Sequence, residues 1–202
     1  MRSLALIAAI AAGPALADGI EITVAGEGAD GTIVIDLFED VAPGHAERIT
    51  ALAAAGAYDN VAFHRVIDGF MAQTGDVQFG DLEDPDFDMR RAGTGGSDMG
   101  EVPAEFSDLT FARGVVGMAR AGDPACGGDP SCTERQQFLD SANSQFFIMF
   151  APNDFLNGKY TIVGEVVSGM EVVDAIKRGD GPNGAVIGRP DAMVRVRPVD
   201  LP

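Results

Sequence analysis

Short apolar runs separated by connections rich in Gly, Pro, Asn and Asp dominate this chain and restrict what it can fold into. Residues 32–37 alternate, with Ile33, Ile35 and Leu37 on one face, as a half-buried strand does. Runs at 62–67, 70–74, 114–118, 145–150 and 161–166 also read as strands. Residues 193–199 alternate again with Arg195 and Arg197 outward, and Pro198 puts that run near a sheet edge or a strand end. Only two helices are signalled. Pro43 suits the first turn of one, whose Ile49, Leu52 and Ala53 form a narrow stripe and whose stop is Gly56. Ser168-x-x-Glu171 reads as a capping box opening the other, with Val172, Val173 and Ile176 inward and Gly179 at its end. Many short strands without regular strand-helix alternation predict a mostly antiparallel sheet or barrel, not a doubly wound parallel sheet.

The organisation is a leader over 1–17 and a single domain over 18–202. Met1-Arg2-Ser3, an apolar stretch too short to span a bilayer and Ala15-x-Ala17 before Asp18 match a cleavable secretory leader. A periplasmic protein is expected, with no membrane insertion once the leader is removed. Cys126 and Cys132 lie in Cys-Gly-Gly-Asp-Pro-Ser-Cys, a stretch flexible enough to close as a disulfide ring in an oxidising compartment; two unpaired loop thiols are the other reading. With 14 basic and 31 acidic residues the net charge is -17, which disfavours nucleic acid as a partner, because such binding depends on Lys and Arg displacing counterions.

Two stretches, 77–108 and 122–142, fit no regular element and read as inserts or functional loops. The first carries nine acids from Asp81 to Asp108 against Arg90 and Arg91. Calcium would need a ligand order that is missing, and a solvated acidic loop is the plainer reading. No metal site is expected, since His45 and His64 are the only histidines and the cysteines lie far from both. There is no G-x-x-x-x-G-K-[ST] loop, no complete dinucleotide fingerprint around Gly93-Thr94-Gly95-Gly96 and no G-x-S-x-G elbow.

The chemistry concentrates in residues 58–76. This stretch reads as a hairpin turning at Asp68-Gly69, with Phe63 and Arg65 pointing one way and Met71 and Gln73 sharing a face. It gathers one guanidinium, one amide and several large apolar side chains, and the aromatic run 145–148 adds Phe147. Phe63 through Asp76 reads F-H-R-x-I-x-x-F-M-x-Q-x-G-D. Gly117-Met118-Ala119-Arg120-Ala121, Ser144-Gln145-Phe146-Phe147-Ile148 and Phe155-Leu156-Asn157-Gly158-Lys159-Tyr160-Thr161-Ile162-Val163-Gly164 follow in order.

Together these segments resemble the cyclophilin family of peptidyl-prolyl cis-trans isomerases, over about 32–199. The resemblance implies a closed eight-stranded antiparallel barrel capped by two α-helices. It implies Arg65 as the catalytic residue, an apolar seat for a substrate proline from Phe70, Met71, Phe147 and Leu156, and Gln73 holding the peptide backbone. Ala119 and Arg120 match an extended substrate groove, although many relatives have Asn at the position of Arg120. Phe155 and Tyr160 stand where many relatives have Trp and His; Phe155 keeps an aromatic wall without an indole N–H, which points to weak cyclosporin binding, and Tyr160 keeps a donor. Proline-containing polypeptides are then the partners, no cofactor is needed, and a monomer suffices. A proline-binding chaperone module with incidental turnover stands as the alternative, motivated by the acidic insert.

Overall fold

The computed structural model describes residues 17–127, 129 and 131–202, so nearly all of the expected leader lies outside the described residues. One sheet organises the chain. Its strands are β1 (Gly19–Ala25), β2 (Gly31–Leu37), β3 (Val61–Ala62), β4 (Arg65–Ile67), β5 (Met71–Thr74), β6 (Val115–Met118), β7 (Phe146–Met149), β8 (Ile162–Ser168) and β9 (Ala192–Val199). The order across the sheet is β3-β9-β1-β2-β8-β6-β7-β5-β4. Every paired neighbour is antiparallel, as the sequence pattern predicts.

There are nine strands where eight are expected, because 62–67 does not run as one strand. It breaks at Phe63-His64. The Phe63 N–H donates to the Asp191 carbonyl and the His64 carbonyl accepts from the Val186 N–H, so both residues bond to the incoming C-terminal segment instead of to a sheet neighbour. The break also turns Phe63 away from Arg65. Phe63 is fully buried with Val66 and Ala72, so the expectation that Phe63 and Arg65 share a face is corrected. β3 and β4 stand at opposite ends of the sheet order, yet only two residues of chain separate them, which curls the sheet strongly.

The main core lies inside this curl. Ile20, Ile22 and Val24 of β1 and Ile33, Ile35 and Leu37 of β2 point into it, each removing apolar surface from water that is worth about 1.5–3 kcal/mol. β1 goes beyond the strands read from the sequence, although its alternation is as regular as that of β2. Helix α1 (Pro43–Ala54) packs the expected stripe, Ile49, Leu52 and Ala53, onto the same core, and Gly56 ends it at φ +71. Pro198 sits where β9 pairs with β1 but no longer with β3, consistent with its missing N–H.

A second short helix, α2 (Gln136–Leu139), lies in the insert 122–142, where none is expected. The third, α3 (Met170–Ala175), occupies the place of the second expected helix, but the capping box is not made. Its N-cap is Gly169 at φ +87, and a side chain there would collide with the Thr32 carbonyl of β2. The close approach of the two chains demands a glycine and displaces Ser168 into β8. The helix also ends before Gly179, whose N–H instead bonds the Val66 carbonyl. Among the described residues no helix is long and apolar enough to cross a membrane.

Candidate active site

The β4–β5 hairpin turns through Asp68-Gly69, with Gly69 at φ +67 and the Phe70 N–H bonded to the Ile67 carbonyl at 3.0 Å. That turn sets the register. Arg65 stands opposite Gln73, Gln73 opposite Phe147 of β7, and Phe147 opposite Gly117 of β6. Directly paired residues project to the same face, so one row across four strands carries a guanidinium, an amide, an aromatic ring and an empty place. The empty place is required. A Cβ on Gly117 would lie 2.5 Å from Cζ of Phe147 and 2.6 Å from Cε1 of Phe111, the ring stacked on Phe147 at 5.7 Å.

Beyond this row, a single 3-10 turn at Asp154–Leu156 delivers the other wall. Asn153 accepts the Phe155 N–H with its side chain and starts the turn. Leu156 then packs inward with Met71, Phe147 and Phe111, whereas Phe155 stays exposed with the Lys159 ammonium over its ring. Tyr160 meets Phe147 edge to face at 5.8 Å. The result is an open cavity of about 380 Å³ lined by Arg65, Phe70, Met71, Gln73, Ala119, Arg120, Phe147, Phe155, Leu156 and Tyr160. All the candidate binding residues named from the sequence therefore converge on one groove.

Arg65 is half-buried at its rim. Nε donates to the Asn183 carbonyl at 2.9 Å, Nη2 to Oδ1 of Asn183 at 2.9 Å, and Nη1 to Oε1 of Gln73 at 3.0 Å. A guanidinium has about five N–H groups, so one on each Nη is left without an acceptor among the described residues. Burial pulls its pKa down, and the nearby Tyr160 hydroxyl opposes that. Gln73 is held in turn, its Nε2 donating to Oε1 of Gln145 at 3.0 Å. Gln145 donates to the carbonyls of Gly93 and Gly95 at 3.1 and 2.8 Å.

Asn183 and Gln145 are absent from the residues singled out by sequence. Gln145 directly precedes β7, two residues before Phe147 in the run 145–150, and that alternation could have marked it. Asn183 sits in a Pro-Asn-Gly turn far along the chain, at φ +56, outside every motif and strand pattern read from the sequence.

The insert 77–108 approaches the groove through Asp76. This fully buried carboxylate accepts the N–H groups of Gln78, Phe79, Gly93 and Gly95, and so fixes the loop carbonyls that hold Gln145. A smaller cavity of about 260 Å³ lies between this loop and the groove.

Residues 20–199 match the model of the family described as "Cyclophilin type peptidyl-prolyl cis-trans isomerase/CLD". This chain belongs to the cyclophilin-type peptidyl-prolyl cis-trans isomerase family. It is 50% identical over 166 residues to a Brucella suis protein named as a probable peptidyl-prolyl cis-trans isomerase, covering 82% of this chain and 76% of the relative. It is 34% identical over 178 residues to a peptidyl-prolyl cis-trans isomerase of Arabidopsis thaliana, covering 85% of this chain and 90% of that one. The fold is similar to a cyclophilin-type isomerase of Cryptosporidium parvum, with TM-score 0.69 at 23% identity, covering 92% of this chain and 99% of that one. A structure of the same parasite protein in the presence of the dipeptide Ala-Pro matches with TM-score 0.67 at 24% identity, over 91% of this chain and 99% of that one.

In this cyclophilin-type chain the insert 122–142 closes on the groove from the other side. Cys126 and Cys132 form a disulfide, their Cα atoms 5.6 Å apart. Asp123 pairs with Arg135 at 2.7 Å, and Glu134 with Arg120 at 2.6 Å.

Proposed function

We propose that this chain catalyses rotation about X-Pro bonds in unfolded or flexible polypeptides, with Arg65 as the catalytic residue. The observation that carries this reading is the half-free guanidinium at the rim of an apolar seat.

The uncatalysed rotation must break amide resonance over a barrier near ~20 kcal/mol. At the twisted transition state the proline nitrogen becomes pyramidal and regains a lone pair. A donor placed there binds the transition state better than either planar ground state. Arg65 has N–H groups to give, and its fixed ones keep it from following the substrate. Phe70, Met71, Phe147 and Leu156 seat the proline ring while the preceding carbonyl swings, and Gln73 holds the neighbouring backbone. Partial exclusion of water strengthens the donated bond. No covalent bond is made or broken, so the reaction needs neither nucleophile nor cofactor.

Arg65→Ala tests this in an NMR exchange experiment on a short Ala-Pro peptide. Loss of one such donor should slow exchange by roughly 10²–10³-fold. Wild-type exchange no faster than that of Arg65→Ala would overturn the reading.

The sheet supports a closed eight-stranded barrel if β3 and β4 are counted as one interrupted strand. The leader pattern over 1–17 and the cysteine pair together support a periplasmic location. Terminal sequencing of protein from a periplasmic extract should begin at Asp18.

A further inference from the structure

Two arginines line the groove, and they are held in opposite ways. Arg65 keeps N–H groups available, whereas the described contacts of Arg120 account for all of its donors. Its Nε and Nη2 each donate to the Lys159 carbonyl at 3.1 Å, and Nη1 donates to the Ala121 carbonyl at 3.0 Å. Nη1 and Nη2 also reach Oε2 and Oε1 of Glu134 at 2.6 and 3.1 Å. The Arg120 side chain is only 3% exposed, and its guanidinium lies 4.5 Å above the Tyr160 ring. With no proton left for a peptide carbonyl, Arg120 is a wall of the groove and not a donor to it.

That wall is set by the insert 122–142. Glu134 directly precedes Arg135, whose guanidinium grips Asp123 at 2.7 and 2.8 Å and whose own N–H bonds the same carboxylate at 3.0 Å. Asp123 and Arg135 thus tie together the two ends of the loop that the Cys126–Cys132 disulfide closes. Glu134 is held at a fixed place beside the groove.

We propose that Glu134 is a positioning residue for substrate binding: by holding Arg120 over Tyr160, it keeps Tyr160 in its edge-to-face contact with Phe147 and so fixes the shape of the proline seat. This deepens the isomerase reading and rests on it. Without the carboxylate, a nearly buried guanidinium loses its only anion among the described residues and moves toward water, uncovering the tyrosine face. Arg65 is anchored separately by Gln73 and Asn183, so its donation is unaffected.

The test is Glu134→Ala in an NMR titration with a short Ala-Pro peptide, which gives Kd and the exchange rate of bound peptide separately. Kd should rise roughly 5- to 20-fold while bound exchange stays within about twofold. In an Arg120→Ala background the same substitution should change Kd by less than about twofold, because Glu134 acts through Arg120. An unchanged Kd for Glu134→Ala, an equal rise with Arg120 absent, or slowed bound exchange at constant Kd would each overturn the proposal. If Glu134→Ala fails to fold, Glu134→Gln keeps the shape and one acceptor; a Kd raised about 2- to 5-fold supports the proposal and an unchanged one overturns it. Wild-type protein that binds the peptide without accelerating exchange would sink the isomerase reading alone and leave the Kd comparison intact.

Discussion

Asn183→Gly separates the placement of Arg65 from the seating of proline. Asn183 supplies two of the three acceptors on the guanidinium, its carbonyl to Nε and its Oδ1 to Nη2, both at 2.9 Å. The glycine variant removes only Oδ1. It also keeps the backbone, since Asn183 lies at φ +56, where glycine is unstrained and alanine would add roughly 1–2 kcal/mol. A hydrogen bond from a charged donor contributes about 1.5–3 kcal/mol when buried. This one is exposed, and the other two anchors remain, so about 1 kcal/mol of transition-state placement is at stake, or roughly fivefold in kcat. The proline seat is built from other side chains, so KM should stay within about twofold. A protease-coupled assay over a range of proline-peptide concentrations resolves the two parameters, and the NMR signal of the Arg65 Nη2–H reports the removed anchor directly. An unchanged kcat with a displaced Nη2–H signal would show that the anchor does not matter for turnover. A rise in KM alone would show that Asn183 serves binding instead.

Gly117→Ala should push the Phe147 ring out of the seat, raising KM and lowering stability by about 1–3 kcal/mol; calorimetry that finds no loss of Tm would refute the packing argument. His64 should make stability depend on pH. Burial pushes its pKa down to about 4, and neither ring nitrogen has a partner among the described residues. Between about pH 6.5 and 4 the unfolded chain therefore holds a proton the folded chain refuses, and stability falls as pH falls through that window. From pH 7 to 4.5 this amounts to about 2 kcal/mol, so urea titrations should show His64→Leu losing less stability by that amount. Parallel profiles would count against it.

What the sequence revealed follows the range of the interactions involved. Arg65, Met71 and Gln73 lie on one hairpin, and strand alternation with a turn at Gly69 puts Met71 and Gln73 on one face; Phe70 came from the resemblance. The remaining groove residues came from the order of motifs, not from periodicity. Contacts made by distant backbone were hidden. The break at Phe63-His64 depends on Asp191 and Val186, and Gly169 replaces a capping box because Thr32 passes too close for a side chain. Arg120 shows the limit most clearly. Its position in the groove was legible, but its acceptors at Lys159 and Glu134 were not, and those convert it from a donor to a wall.

The acidity of the insert 77–108 acquires a physical cause from the same contacts. With only isolated bridges at Asp81 and Val102 and a series of turns, this segment gives part of its backbone N–H groups to backbone carbonyls, and side chains accept others. Short carboxylates do this best, because an Asp oxygen reaches the N–H two residues on without disturbing the chain. Asp81 accepts from Glu83, Asp84 from Asp86, and Asp88 from Arg90, each in such a turn. Glu105 closes the far end by accepting the N–H groups of Gly44 and His45 at the start of α1, and by bonding Nδ1 of His45 at 2.6 Å. These carboxylates shape the loop, Asp81 and Asp84 each with one oxygen. Their second oxygens and their charge stay at the surface, so shaping the loop and attracting a basic client are compatible. What the insert contributes to the groove is position: through Asp76 it presents Gly93 and Gly95 to Gln145, Gln145 holds Gln73, and Gln73 holds Arg65.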